Sequence, residues 1–225
     1  SPDLLALTGG HPLMARLLAQ RGLVDASRAR AFLDPQHYQP TSPDALADLP
    51  QAVALIGETI AHGRRIRIWG DFDTDGQTAT ALLLEALQAL GAQVDYHLPL
   101  RQKGHGFSER VVQQARRDGV VLLITCDTGS SDATTVRAAR AAGIAVIITD
   151  HHDLIDEPLG ANAFLNPKRL PPGHRLRELS GVGVAYLLAR ALLAGSKAEA
   201  LLPELLDLVA LGLIGDVATQ VDEVR

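Results

Sequence analysis

The chain has a single cysteine, Cys126, in 225 residues. That excludes an internal disulfide framework and a thiolate zinc cage, and it fits a reducing compartment. No uncharged apolar run comes near the ~18 residues that cross a bilayer. The most apolar stretch, 201–215, is interrupted by Pro203, Glu204 and Asp207, so a soluble chain is expected. Positive charge is not in excess: the net charge is −5, and the chain as a whole is not the basic surface of a protein that grips nucleic acid unaided. Neither a complete G-x-G-x-x-G after a strand nor a Walker A lysine motif is present, so a dinucleotide or a nucleoside triphosphate is not indicated. The start, Ser1-Pro2-Asp3, has no basic stretch followed by an apolar core, so no signal peptide is read and a cytoplasmic location is expected. What the chain does have is core material: 47% of its residues are hydrophobic, which excludes a disordered chain and allows a sizeable core.

Residues 1–62 read as short helices over 12–20, 26–33 and 51–62, with Asp25 placed to cap the second and a loop at 34–48 broken by Pro35, Pro40 and Pro43. From Arg65 the pattern changes to apolar runs of strand length at 66–69, 94–98, 120–125 and 145–149. They alternate with helix-length segments at 78–90, 108–117 and 132–142, and Gly91 and Gly143 are placed to close the first and third helices. Strand-helix alternation with near-continuous apolar strands predicts an α/β fold, an open and mainly parallel sheet covered by helices on both faces. The domains expected are a helical segment at 1–62 packed on the core and a catalytic domain at 63–225. After Asp150 an irregular stretch, 154–179, contains a short apolar run at 163–165, and helices are expected over 181–193 and 198–213.

Four apolar runs lead into aspartate: 66–69 into Asp71, Asp73 and Asp75; 120–125 into Asp127; 145–149 into Asp150; 208–214 into Asp216. The carboxyl ends of parallel strands share one edge of the sheet, so these acids are expected to converge where such sheets bind ligands. Converging carboxylates repel one another, and two divalent cations would neutralise about four of them. His151 and His152 follow Asp150 directly and add imidazole to the set. Aspartate and histidine without thiolate suit Mn²⁺ or Mg²⁺, and a pair of such ions is the standard clamp for hydrolysing a phosphoester. The plainer alternative for any one aspartate is a helix cap, as expected for Asp132. Cys126 and Trp69 read as core, His11, His37, His62 and His174 as structural, and His97 as either.

Phosphate contacts are sought nearby. Gly70, Gly76 and Gly129 allow tight turns beside the acids. The segment Arg101-Gln102-Lys103-Gly104-His105-Gly106-Phe107 follows the second strand on the same edge, with cations for a phosphate and Phe107 for a base. Ser180 and Gly181 open a helix whose N-terminus either holds phosphate or is simply capped by Ser180.

Taken together, Gly70-Asp71-Phe72-Asp73-Thr74-Asp75-Gly76, Cys126-Asp127-Thr128-Gly129, Asp150-His151-His152 and Gly215-Asp216-Val217-Ala218 resemble the ordered motifs of the DHH phosphoesterase superfamily. Within it the chain is similar to the RecJ exonucleases over essentially its whole length. The resemblance implies a 5′ to 3′ exonuclease for single-stranded DNA that releases nucleoside 5′-monophosphates in repair and recombination. It implies two Mn²⁺ or Mg²⁺ ions. Asp73 and Asp127 would hold one; Asp75, His151 and Asp216, with Asp127 bridging, would hold the other. Asp71 would lie on or next to a metal, Asp150 would support the site from behind, and His152 would contact the scissile phosphate. Gln77, His105 and Thr128-Gly129-Ser130 depart from the family pattern at positions that bear on substrate contact. Members of the family are longer, with a DHH-associated domain and an oligonucleotide-binding fold after this segment. The partners implied are single-stranded DNA, single-strand-binding protein and a helicase, with no membrane and a monomeric state. The alternatives are a phosphodiesterase for short oligonucleotides or cyclic dinucleotides, and an inactive replication scaffold.

Overall fold

In the computed structural model, which describes residues 1–101 and 109–225, the apolar runs form five strands in one sheet: β1 (Arg65–Trp69), β2 (Gln93–His97), β3 (Val120–Cys126), β4 (Ala145–Thr149) and β5 (Ala163–Leu165). All pair in parallel, in the order β2-β1-β3-β4-β5. Alternate residues of a strand point to opposite faces. Ile66, Ile68, Leu122, Ile124 and Ile147 therefore join one core with α4 (Leu49–Ala61), α5 (Thr74–Ala89) and α8 (Gly181–Leu193). Trp69, Leu123, Val146 and Ile148 join a second with α6 (Glu109–Arg117) and α7 (Ala133–Ala141). The expected parallel sheet with helices on both faces is what forms. Cys126 and Trp69 are buried, and His97 stacks on Trp69 with ring centroids 4.2 Å apart.

The chain divides into two compact units, residues 1–41 and 42–225. The first contains α1 (Pro2–Leu7), α2 (Pro12–Gln20) and α3 (Ala26–Leu33) around Leu4, Leu18 and Ala29, and Asp25 caps α3 by accepting from the Arg28 N–H at 2.8 Å. Helix α4 belongs to the second unit, where Leu49, Ala52 and Ile56 pack in the sheet core.

Helix α1 is not among the helices expected in residues 1–62, and three further elements differ from the sequence reading. Helix α5 begins four residues before the expected Thr78, because the Asp73 carboxylate accepts from the Gly76 N–H at 3.0 Å and caps it. The helix expected over 198–213 is two pieces, a 3₁₀ turn at Lys197–Leu201 and α9 (Leu206–Gly215), since Pro203 between them cannot supply a helical N–H. Asp132 stands at the N-cap of α7 without making the capping bond. Gly91 and Gly143 do follow their helices, at φ 78 and φ 79.

Candidate metal centre

The chain runs from β1 outward to β2 and then returns to the other side of β1 with β3, so the switch in strand order lies between β1 and β3. Ligands of open α/β sheets bind in the crevice outside the carboxyl ends at that point. Asp71 and Asp73 follow β1, Asp127 follows β3, and Asp150 and His151 follow β4. Asp75 comes from the first turn of α5. Asp216 arrives from the C-terminal end of α9, a helix rather than a strand.

Among the described residues, three sets of side chains each bring their ligand atoms to within 4.8 Å of one another: Asp71, Asp73 and Asp127; Asp75, His151 and Asp216; Asp127, His151 and His152. Asp127 and His151 each belong to two sets and join them. His151 Nε2 lies 3.1 Å from Asp127 Oδ1 and 3.8 Å from both Asp75 Oδ2 and Asp216 Oδ1. The structure thus brings Asp71, Asp73, Asp75, Asp127 and Asp216 together with His151, while Asp150 lies outside these sets.

Asp127 is held against its own interest. It is buried, with left-handed backbone at φ 61, a conformation aspartate tolerates better than most residues. Its N–H donates to the Thr149 carbonyl at 2.9 Å. Among the described residues Oδ1 has no hydrogen-bond partner, although His151 Nε2 is 3.1 Å away. Two potential ligand atoms that close without a hydrogen bond between them are arranged as ligands of a common centre. Burial, then the charges of Asp75, Asp73 and Asp150, push the Asp127 carboxyl up to about 10. A buried acid of this kind fits a cation ligand, since a cation would satisfy Oδ1 and lower the repulsion together.

Asp150 contrasts with it one strand away. It accepts from the Ser130 N–H at 2.8 Å, the His151 N–H at 2.7 Å, the His152 N–H at 3.3 Å and, with His152 Nδ1 as donor, at 2.7 Å. Burial alone would push its carboxyl up, yet the bonds from His152 and Ser130 outweigh burial and hold it below the usual range. It belongs to none of the three sets and orients the two histidines from behind. The same bond to Asp150 raises the His152 imidazole pKa, while the ring remains largely exposed.

Arg101 lies 4.4 Å over the Phe72 ring. Phe72 is itself fixed to the site, its N–H donating to Asp71 Oδ1 at 2.8 Å and its carbonyl accepting from Gln77 Nε2 at 2.5 Å. His105, Gly106 and Phe107 lie outside the described residues. Ser180 and Gly181, expected to face phosphate or cap a helix, are turned to Asp75: the Ser180 hydroxyl and the Gly181 and Val182 N–H groups all donate to its carboxylate. Burial pushes the Asp75 carboxyl up, and those donors together with His151 oppose it.

Sequence reading missed Asn166. It is buried just after β5, and its Nδ2 donates to Ser130 Oγ at 2.8 Å and to the His152 carbonyl at 2.9 Å, tying down the loop that carries the histidines. The signal was available, since Asn166 directly follows the apolar run 163–165 as the aspartates follow theirs.

Residues 65–213 match the family model described as DHH family, N-terminal domain. The chain is 39% identical over 215 residues to the single-stranded-DNA-specific exonuclease RecJ of Bacillus subtilis, covering 95% of this chain and 27% of that protein. To the RecJ of Escherichia coli it is 38% identical over 219 residues, covering 92% of this chain and 37% of the relative. The chain therefore spans about a third of the length of these relatives. Among solved structures, RecJ of Thermus thermophilus in complex with Mn²⁺ superposes with a TM-score of 0.74 at 31% identity, over 96% of this chain and 30% of the other.

Proposed function

The chain belongs to the DHH family, and from that premise we propose that it is the catalytic core of a metal-dependent exonuclease. It would hydrolyse phosphodiester bonds of single-stranded DNA from the 5′ end, releasing nucleoside 5′-monophosphates in DNA repair and recombination. The observation that carries the reading is the shared position of Asp127, which joins two sets of potential metal ligands through a buried oxygen that has no hydrogen-bond partner among the described residues.

Two divalent cations, Mn²⁺ or Mg²⁺, would be held by Asp71, Asp73 and Asp127 and by Asp75, His151 and Asp216, with Asp127 shared. When bound, they supply Lewis acidity and neutralising charge for the phosphodiester oxygens. The rest of the work falls to the chain. Asp73 holds its carboxylate in place by capping α5, so the ligand and the helix start are fixed together. Asp150 pins His152 through Nδ1 and leaves Nε2 to donate to a phosphate oxygen. Arg101, resting on Phe72, presents a guanidinium to a neighbouring phosphate from the rim. Neither alternative reading gains an observation, and an inactive scaffold would have no use for a complete set of carboxylates.

The acidic balance of this segment leaves much of the grip on DNA to further domains of a longer protein. Single-strand-binding protein and a helicase are the proposed protein partners, with a monomer in the cytoplasm. To test the reading, single strands labelled at the 5′ or the 3′ end are incubated with Mn²⁺, using this chain and the full-length protein. Labelled mononucleotide should appear first from the 5′ end and vanish with EDTA or Asp127→Asn. Release from the 3′ end alone, or hydrolysis indifferent to Asp127→Asn, would overturn it.

A further inference from the structure

The first turn of α8 is used in an unusual way. Ser180 stands at the N-cap position with extended backbone, but its side chain makes no bond to the N–H groups of its own helix. Its hydroxyl donates to Asp75 Oδ1 at 2.9 Å, across 105 positions of sequence. The Val182 N–H donates to the same oxygen at 2.9 Å, and the Gly181 N–H donates to Oδ2 at 2.6 Å. The opening N–H groups of a helix have no partner within it; here a carboxylate from α5 satisfies two of them.

Everything about this contact is closed to water, with Ser180 0% and Asp75 1% exposed. Backbone also walls it in: a Cβ at Gly212 would lie 2.8 Å from Asp75 Oδ1, so only glycine lets α9 come that close. A carboxylate has about four lone-pair sites. Three are engaged by these donors. The free site is on Oδ2, the oxygen 3.8 Å from His151 Nε2.

We propose that Ser180 is a positioning residue, which with the first N–H groups of α8 fixes Asp75 as a one-oxygen ligand toward His151 and Asp216. Ser180 touches neither cation nor DNA. It sets how firmly one of the two cation pockets is occupied, and it leaves the pocket of Asp71, Asp73 and Asp127 alone. The inference rests on the metal reading proposed above.

The test is calorimetric titration of Mn²⁺ into the metal-free protein without DNA, beside a thermal melt. Wild type should show two binding steps. In Ser180→Ala one step should weaken by roughly ten- to a hundredfold, the loss usual for a group that orients a ligand from behind, while the other step keeps its affinity. Ser180→Cys keeps a donor at the same branch point, though a weaker one on a somewhat larger atom, so it should weaken the same step less; it decides the question if Ser180→Ala does not fold. A merely structural serine would lower the melting temperature and leave both steps as they are in wild type. That result overturns this inference alone. Absence of any Mn²⁺ binding by wild type overturns the metal reading, and this inference with it.

Discussion

On β1, Arg67 lies 2.5 Å from Asp95 of β2 and 2.8 Å from Asp118 just before β3, so two carboxylates share one guanidinium. Asp95 above all holds that guanidinium above its usual pKa. Beyond the carboxyl ends of the same sheet, the basic groups within 4.0 Å of Asp75 and Asp127 are, among the described residues, histidines alone. The first arrangement is complete as it stands. The second gathers carboxyl groups in a buried crevice without a matching fixed cation, which holds Asp127 in its protonated form and fits a site for divalent cations. Where acids are structural, this chain supplies their counter-charge; where they are functional, it withholds it.

The largest effect expected from breaking that contrast is at Asp127. Asp127→Asn should lower Mn²⁺-dependent hydrolysis on the order of 10³-fold, several kcal/mol of transition-state stabilisation. In EDTA it should do the opposite to the fold, raising the melting temperature by a few degrees, about 1 kcal/mol for a chain of this size. Asparagine also suits the left-handed backbone at this position. The pH dependence has a definite sign. The folded carboxyl titrates near 10, above its ordinary 3.8, so the folded state binds the extra proton. Its contribution to stability is full below about pH 4 and is lost as the pH rises through about 10. Metal-free wild type should therefore lose stability across that window more steeply than Asp127→Asn, and saturating Mn²⁺ should remove the difference. Melting curves at several pH values in EDTA check this, and a mutant less stable than wild type throughout would contradict it.

Much of this was legible in sequence because the signal was local. The runs that become β1, β3 and β4 were visible as apolar blocks, and the acids were obvious as the residues that follow each block. What was not legible was contact made at long range. Nothing near Ser180 announces that its partner is Asp75 on α5, and the local reading offered only a cap or a phosphate. The start of α5 was read too late because apolar periodicity begins at Thr78, whereas the cap that starts the helix is one of the site's own carboxylates, Asp73. The left-handed backbone of Asp127 leaves no trace in residue type. Asp216 stands beside Asp75 and His151 at the end of α9, the second piece of the helix expected over 198–213, and only the break at Pro203 escaped the sequence reading.

A smaller effect is expected where the charges balance. Arg67→Ala leaves Asp95 and Asp118 without their shared cation, but both are about a third or more exposed, at 39% and 34%, so solvent takes up much of the loss. The cost should be about 1 kcal/mol in urea unfolding. Hydrolysis by the folded protein should not change, since the pair lies away from the carboxyl edge. A large loss of activity at unchanged stability would mean that the two regions are coupled and that the division drawn between them is wrong.

The smallest effect sharpens the boundary between site and core. Cys126 immediately precedes Asp127 but is fully buried. Burial pushes its thiol up to about 12, with the Asp127 and Asp75 charges adding to the rise and bonds from Thr149 and Thr80 opposing it. The thiolate is the reactive form. Near pH 8 the native protein should therefore resist a thiol reagent, reacting only through opening of the fold and roughly 10³-fold more slowly than the urea-unfolded chain. Hydrolysis should be unaffected over the time the native thiol survives. Rapid labelling of the native protein would show that water passes behind Asp127. The burial that makes its unpaired oxygen costly would then be absent, and with it the physical reason for assigning a cation there.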